Sequence, residues 1–273
     1  RQILTYLKRS GSDQTVALNS DVLVNIDLNQ VFHLHNTTEQ KVTVVYKKLP
    51  KELISDVNSI LEIDESDKVL SHELFQGGDK EAYNMSTDIF VVDTPFLIAK
   101  LEEEAAKEEP RKLRYVLRDL AVAENAFAYE YTGYLSNIHS VKAYFDANLD
   151  MLESHKFYKL FAPNQKVYTK VKNEEPTYYS DSSEVKLSQF ASGSIVRGKV
   201  ENSVISRNVD LSEGSSVSHS ILFPRVKVAK GATVEYAIVD KGVEIAEGVT
   251  IRGTENNPVV IKKGSVVTED IVR

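Results

Sequence analysis

The last third of the chain carries its aliphatic residues in three columns. Ile205, Leu222 and Val239 lie 17 residues apart; Leu211, Val228 and Ile245 repeat the interval, and so do Val217, Val234 and Ile251. Within one period the columns step by six, six and five residues, so each period has three short sides with one inward-pointing aliphatic on each. Self-similarity at a short fixed period marks a stacked architecture in which every unit buries its apolar side on the next. A period of 17 is too short for a helix pair and the β-branched content opposes helix, so the pattern predicts a three-sided β coil. Smaller residues keep the same register. Ser203, Ser220 and Ala237 form one column; Gly214, Gly231 and Gly248 form another, read as corners that a Cβ would crowd. Residues 254–258 read as an insertion that shifts the phase by one, with Ile261, Gly264 and Val267 resuming it 16 residues on.

Upstream the texture differs. The apolar stretch within Thr15 to Asp21 predicts a buried parallel strand. A helix is expected over 29–36, a strand over the β-branched run Lys41 to Lys47, a further strand over Asn84 to Val92, and an amphipathic helix over Pro95 to Lys107 with proline at its start. Glu102, Glu103, Glu104, Glu108 and Glu109 read as the solvated face of that helix. Strands alternating with helices argue for an α/β sheet layer. After Asp150 a charged, proline-containing segment reads as a connecting helix and a crossing stretch. The expected organisation is therefore an α/β domain over 1–150, a connector over 151–183 and the coil over 184–273.

Composition narrows the function classes. The 273 residues are 42% hydrophobic and 27% charged, as in a folded globular chain. A net charge of -7, from 33 basic and 40 acidic side chains, offers no footprint for a phosphate backbone, so nucleic acid is not an expected partner. The chain has no Cys, which excludes disulfides, thiolate metal sites and thiol nucleophiles. No apolar run approaches the ~20 residues that span a bilayer, so a cytoplasmic protein without membrane attachment is expected. Opening at Arg1 without Met, on a helix-like stretch, suggests a fragment or a processed product.

The coil resembles the hexapeptide repeats of left-handed parallel β-helices; the handedness comes from that resemblance, because the general crossover rule favours the right hand. Such coils occur in acyltransferases, which use a His between coils as general base, and in sugar nucleotidyltransferases, where the coil is a C-terminal accessory domain. The one His inside the repeat, His219, has no orienting pattern around it and reads as a solvated turn residue. Other segments point to the second group. Ser20-Asp21-Val22-Leu23-Val24-Asn25-Ile26-Asp27-Leu28 resembles the Gly-Asp-His-Ile-Tyr-Lys-Met-Asp-Tyr stretch of bacterial glucose-1-phosphate adenylyltransferases, in which the first Asp binds Mg2+. Asn84-Met85-Ser86-Thr87-Asp88-Ile89-Phe90 is similar to their Ala-Ser-Met-Gly-Ile-Tyr-Val-Phe sugar-phosphate segment. The stretch from Gly133 to Val141, followed by Tyr144 to Asp150, resembles Gly-Tyr-Trp-Arg-Asp-Val-Gly-Thr and its Tyr-Trp-Glu-Ala-Asn-Met-Asp continuation, and Val167 to Val171 resembles the lead into the β-helix.

This ordered set implies an α/β fold, a partial Rossmann-like nucleotidyltransferase domain followed by a left-handed parallel β-helix. The family joins ATP to glucose 1-phosphate and releases pyrophosphate, a reaction in which the protein mainly positions groups and neutralises charge. Two carboxylates hold Mg2+ in the family. Here the resemblance places Asp21, a remnant metal position, at the first and Asn137 at the second, where the charge that hard Mg2+ prefers is lost. It also makes Ser86 a candidate substrate contact. The family's Glu-Lys-Pro lysine has no match, Lys80 lying in a different context, and no Gly-rich phosphate loop precedes Asp21, Gly77-Gly78 being the glycine pair of another loop. These departures are those of a GlgD-type subunit: weakly catalytic or inactive, regulatory, and partnered in a hetero- or homo-oligomer with a catalytic GlgC-type homologue. Two other readings stay open, an active adenylyltransferase when full length and a sugar-phosphate sensor using Lys170, Lys172 and Lys186. Taken alone, Asp21 could cap a turn and Asn137 could be a plain loop residue.

Overall fold

A computed structural model describes residues 2–161, 166–170 and 172–273. Arg1, and Val171 in the lead-in segment, lie outside the described residues. The chain divides into two compact units, Arg1–His139 and Ser140–Arg273. No helix among the described residues is long and apolar enough to cross a membrane.

The first unit is built on a mixed sheet. In chain order its elements are α1 (Gln2–Ser10), β1 (Gln14–Ala17), β2 (Val22–Val24), α2 (Leu28–Thr37), β3 (Val42–Pro50), β4 (Ser59–Ile63), β5 (Val69–Leu74), β6 (Ala82–Asp93), α3 (Thr94–Ala105), α4 (Leu113–Ala123), β7 (Phe127–Glu130) and β8 (Leu135–Asn137). The order β5-β4-β6-β3-β7 centres on β6 and β3, whose runs of Val, Ile and Phe are buried on both faces. Val42, Val44, Phe90 and Val92 pack with Val116 and Leu117 of α4, while Val45, Ile89 and Val91 pack with Val31 of α2. The strand expected over 15–21 is shorter and runs antiparallel to β6, pairing Gln14 with Asp93 through Ala17 with Phe90. A short apolar run records burial but carries no information about direction, which the partner strand sets.

Helix boundaries follow local chemistry. Asp27 accepts from Asn29 N at 3.0 Å and starts α2, and Pro95 sits in the first turn of α3. One expectation fails here: Glu104 is buried, not solvated. Its carboxylate accepts from Lys107 Nζ, from Arg111 N at 2.9 Å and from Arg111 Nε at 3.2 Å, tying down the turn between α3 and α4.

In the second unit, α5 (Val141–Leu149), capped by Ser140 through Ala143 N at 3.1 Å, and α6 (Ser154–Leu160) precede the coil. The coil has three parallel faces. One stacks Val200, Val217, Val234 and Ile251; the next stacks Ile205, Leu222 and Val239; the third stacks Val196, Leu211, Val228 and Ile245. These side chains are buried to within 2% and form one continuous interior. Each contributes about 1.5–3 kcal/mol of hydrophobic transfer, set against chain entropy. On the outside of the second face, Ile221 and Ile238 pack under Phe145 of α5.

Small residues act as expected in one column and for a different reason in the other. Ser203 Oγ donates to Glu201 O at 2.7 Å and accepts from Ser220 N at 3.1 Å; Ser220 Oγ donates to Ser218 O at 2.7 Å and accepts from Ala237 N at 3.1 Å. The hydroxyls thus link successive coils from inside. At Gly231 and Gly248 a Cβ would meet nothing within 4 Å, so crowding is not the reason for glycine; the backbone there has φ of +69° and +73°, the left-handed region that glycine enters without strain. The insertion does not shift the phase by one. Val239 stacks on Ile261 and Ile245 on Val267, while Thr254 and Asn257 close a small turn that leaves the faces in register. Gly264 accordingly follows the corner of Gly242, not that of Gly248: its N–H bonds Lys241 O as the Gly242 N–H bonds Pro224 O.

Candidate functional site

The structure brings Asp21 and Asn137 together. β2 and β8 form a short antiparallel pair in which Val22 faces Asn137, and Ile138 N donates to Asp21 O at 2.7 Å. Asp21 is exposed, immediately before β2.

Asn137 is different. It is buried, and its amide is spent inside the protein: Nδ2 donates to Leu53 O at 2.9 Å and to Asn58 Oδ1 at 2.8 Å, and Oδ1 accepts from Asn58 Nδ2 at 3.2 Å. The orientation of Asn58 is set independently, because its Oδ1 also accepts from Ser55 N at 2.9 Å and Ser55 Oγ at 3.0 Å. Two amides therefore pair face to face and hold the 53–58 segment against β8. Sequence inspection missed Asn58, since a partner 79 positions away leaves no local signal beyond a turn-prone run, Ser55-Asp56-Val57-Asn58.

Ser86 is buried within β6 and its Oγ accepts from Asp88 N at 3.2 Å. It belongs to a bulge: pairing with β3 slips between Val45 and Tyr46, Thr87 Oγ1 donates to Val45 O at 2.8 Å, and Asp88 takes φ +52°. The Ser86 hydroxyl is thus used to shape backbone. Lys80 lies beside Tyr83, its N donating to the Tyr83 hydroxyl at 3.1 Å and its ammonium 6.0 Å from the ring centre. Lys186 is paired with Glu201 at 2.8 Å, so its charge is already answered; Lys170 and Lys172 are exposed.

His219 departs from the expected solvated turn. Its ring stacks on Tyr236 with centroids 4.7 Å apart, its Nε2 lies 3.1 Å from Asn202 Nδ2, and its Nδ1 is shielded from solvent without a hydrogen-bond partner. Equivalent corners of adjacent coils impose this: Asn202, His219 and Tyr236 all take positive φ, so their side chains line up in a column.

A divalent cation of the Mg2+ type needs several oxygen ligands, carboxylates above all. Among the described residues no three or more His, Cys, Asp or Glu side chains are grouped to hold a metal ion. Beside Asp21 stands a neutral amide whose oxygen already accepts a hydrogen bond. The residues present do not fit a two-carboxylate magnesium grip.

A family model described as GlmU-like, C-terminal hexapeptide, matches residues 173–272. The glycogen biosynthesis protein GlgD of Bacillus subtilis (strain 168) is 31% identical over 266 residues, covering 97% of this chain and 67% of that protein. GlgD of Geobacillus stearothermophilus is 53% identical over 127 residues, 46% of this chain and 37% of that protein. The glucose-1-phosphate adenylyltransferase of Thermosipho africanus (strain TCF52B) is 24% identical over 215 residues, 75% of this chain but 50% of the relative. On the extent of the first match, the chain belongs to the GlgD family of glycogen biosynthesis proteins, related to the glucose-1-phosphate adenylyltransferases.

Proposed function

We propose that this chain serves glycogen biosynthesis as a weakly catalytic or non-catalytic subunit, assembling with a catalytic homologue that makes the sugar nucleotide. The observation that carries the reading is the Asn137–Asn58 amide pair. A buried residue whose two donated bonds end on Leu53 O and Asn58 Oδ1, and whose oxygen accepts from Asn58 Nδ2, is committed to holding a loop. With Asp21 the only carboxylate at the two matched positions, a divalent cation would be held weakly, and the charge on a nucleoside triphosphate would lack the electrostatic stabilisation that the transition state needs most. The relatives named GlgD and glucose-1-phosphate adenylyltransferase support the pathway; the catalytic partner is part of the proposal.

The test uses the full-length protein, because this chain covers about two thirds of its Bacillus subtilis relative. Pyrophosphate release from ATP and glucose 1-phosphate is measured for the protein alone, for a catalytic homologue alone, and for the two co-expressed. The expected outcome is negligible turnover alone, co-elution of the pair on sizing, and altered turnover of the catalytic partner. Robust turnover by the protein alone, abolished in Asp21→Asn, overturns the proposal; so does persistent separate elution.

A further inference from the structure

We propose, building on the weakly catalytic or non-catalytic reading above, that Asn58 closes the second cation position: with Asn58 in place, restoring a carboxylate at 137 creates no divalent-cation site beside Asp21. The two matched positions face different surroundings. Leu135 and Asn137, two residues apart on β8, share one face of that strand, and Val22 stands opposite Asn137. That face is turned to the interior, where Val22 and Leu135 pack against the cluster of Leu49, Ile54, Phe75 and Met85. Asn137 is accordingly 7% exposed, whereas Asp21 lies in solvent.

The 53–58 loop fixes the inward position from the other side. Ile54 is buried in the same cluster, and the Asn58 backbone is held twice: its N–H donates to Ser55 O at 3.0 Å, and its carbonyl accepts from Phe75 N at 2.9 Å. The side chain is held as firmly, because Asn58 Oδ1 accepts from Ser55 N and Ser55 Oγ as well as from Asn137 Nδ2. That oxygen is an acceptor that cannot be exchanged for a donor. A carboxylate at 137 would stand before it and Leu53 O, with Asn58 Nδ2 as the one donor of the pair. Buried among acceptors, a carboxylate is disfavoured in its charged form, the form that a hard divalent cation takes. Charge at 137 is therefore not enough for a cation; the acceptor opposite has to be removed too. Asn58 acts through residue 137 and is a positioning residue.

The experiment measures Mn2+ binding to the full-length protein through the electron paramagnetic resonance of the free ion. Asn137→Asp is expected to bind Mn2+ no more tightly than the parent. Asn58→Ala combined with Asn137→Asp should bind it about tenfold more tightly, a coupling of the size found between residues in contact. Adding Asp21→Asn to that pair should return the affinity to the parent's. A gain in Asn137→Asp alone equal to that of the pair, no gain in the pair, or a gain that outlasts Asp21→Asn would each overturn the proposal. A second measurement needs no introduced charge: hydrogen exchange of the Asn137 side-chain amide, which Asn58→Ala should speed about tenfold or more. An unchanged exchange rate would overturn the proposal even where the paired variant fails to fold. Pyrophosphate release by the parent alone decides the non-catalytic reading separately, so the failure of one is distinct from the failure of the other.

Discussion

Replacing Asn137 with Asp tests what that position does, because the substitution restores the charge a metal site would want while removing the donor that the loop needs. In the present structure Nδ2 makes two bonds, to Leu53 O and to Asn58 Oδ1. After Asn137→Asp an oxygen stands in its place, facing two acceptors. Asn58 cannot relieve the clash by flipping its amide, since Ser55 N and Ser55 Oγ both point at its Oδ1. Two lost bonds at about 0.5–1.5 kcal/mol each, with a buried unsatisfied acceptor at about 1–3 kcal/mol, give a destabilisation of about 2–6 kcal/mol. That is a large share of the ~5–15 kcal/mol that keeps a domain folded. Burial and the facing oxygens push the introduced carboxyl above its usual pKa of about 3.9. With the folded value above the unfolded one, the protonated form is the one the fold favours. The penalty is then full at neutral pH and shrinks as pH falls through the folded value. Urea unfolding, followed by circular dichroism and the fluorescence of the 13 tyrosines at pH 7 and pH 5, measures both effects. A variant as stable as the parent at pH 7, and further stabilised by Mg2+, would refute the amide-pair argument and with it the assignment of a degenerate site.

Two other expectations follow from packing and charge. Leu222→Ala empties the centre of the second face, where the side chain is fully buried; it should cost about 2–5 kcal/mol, and hydrogen exchange should quicken first in the coils carrying Ile205 and Val239. A loss below about 1 kcal/mol would mean the column is not a close-packed interior. The hydrogen bonds from Lys107 and Arg111 hold Glu104 down at about 2 from 4.5. Its contribution to stability is therefore present above the unfolded value and disappears as pH falls toward the folded one. Glu104→Gln should lower the unfolding midpoint at pH 7 and flatten its decline between those two values; an unchanged acid limb would count against the ion-paired turn.

The coil was readable from sequence because each turn repeats the same problem: an aliphatic must point inward at a fixed interval, so local spacing and long-range stacking are one pattern. Leu222 sits over Ile205 and under Val239 as the period demands. Where the period breaks, at residues 254–258, spacing misjudged the register, because a loop of any length can return the chain to the same face. In the first unit the runs of β3 and β6 announced buried strands, but their hydrophobicity said nothing about the antiparallel pairing or the bulge that buries the Ser86 hydroxyl. Likeness to a family located Asp21 and Asn137, and only the tertiary structure turned Asn137 toward Asn58 and Glu104 toward Arg111. Composition and periodicity record how much of a residue must leave water. Where its polar atoms end up depends on which distant groups the fold has carried alongside, and the chemistry of a site resides in that second choice.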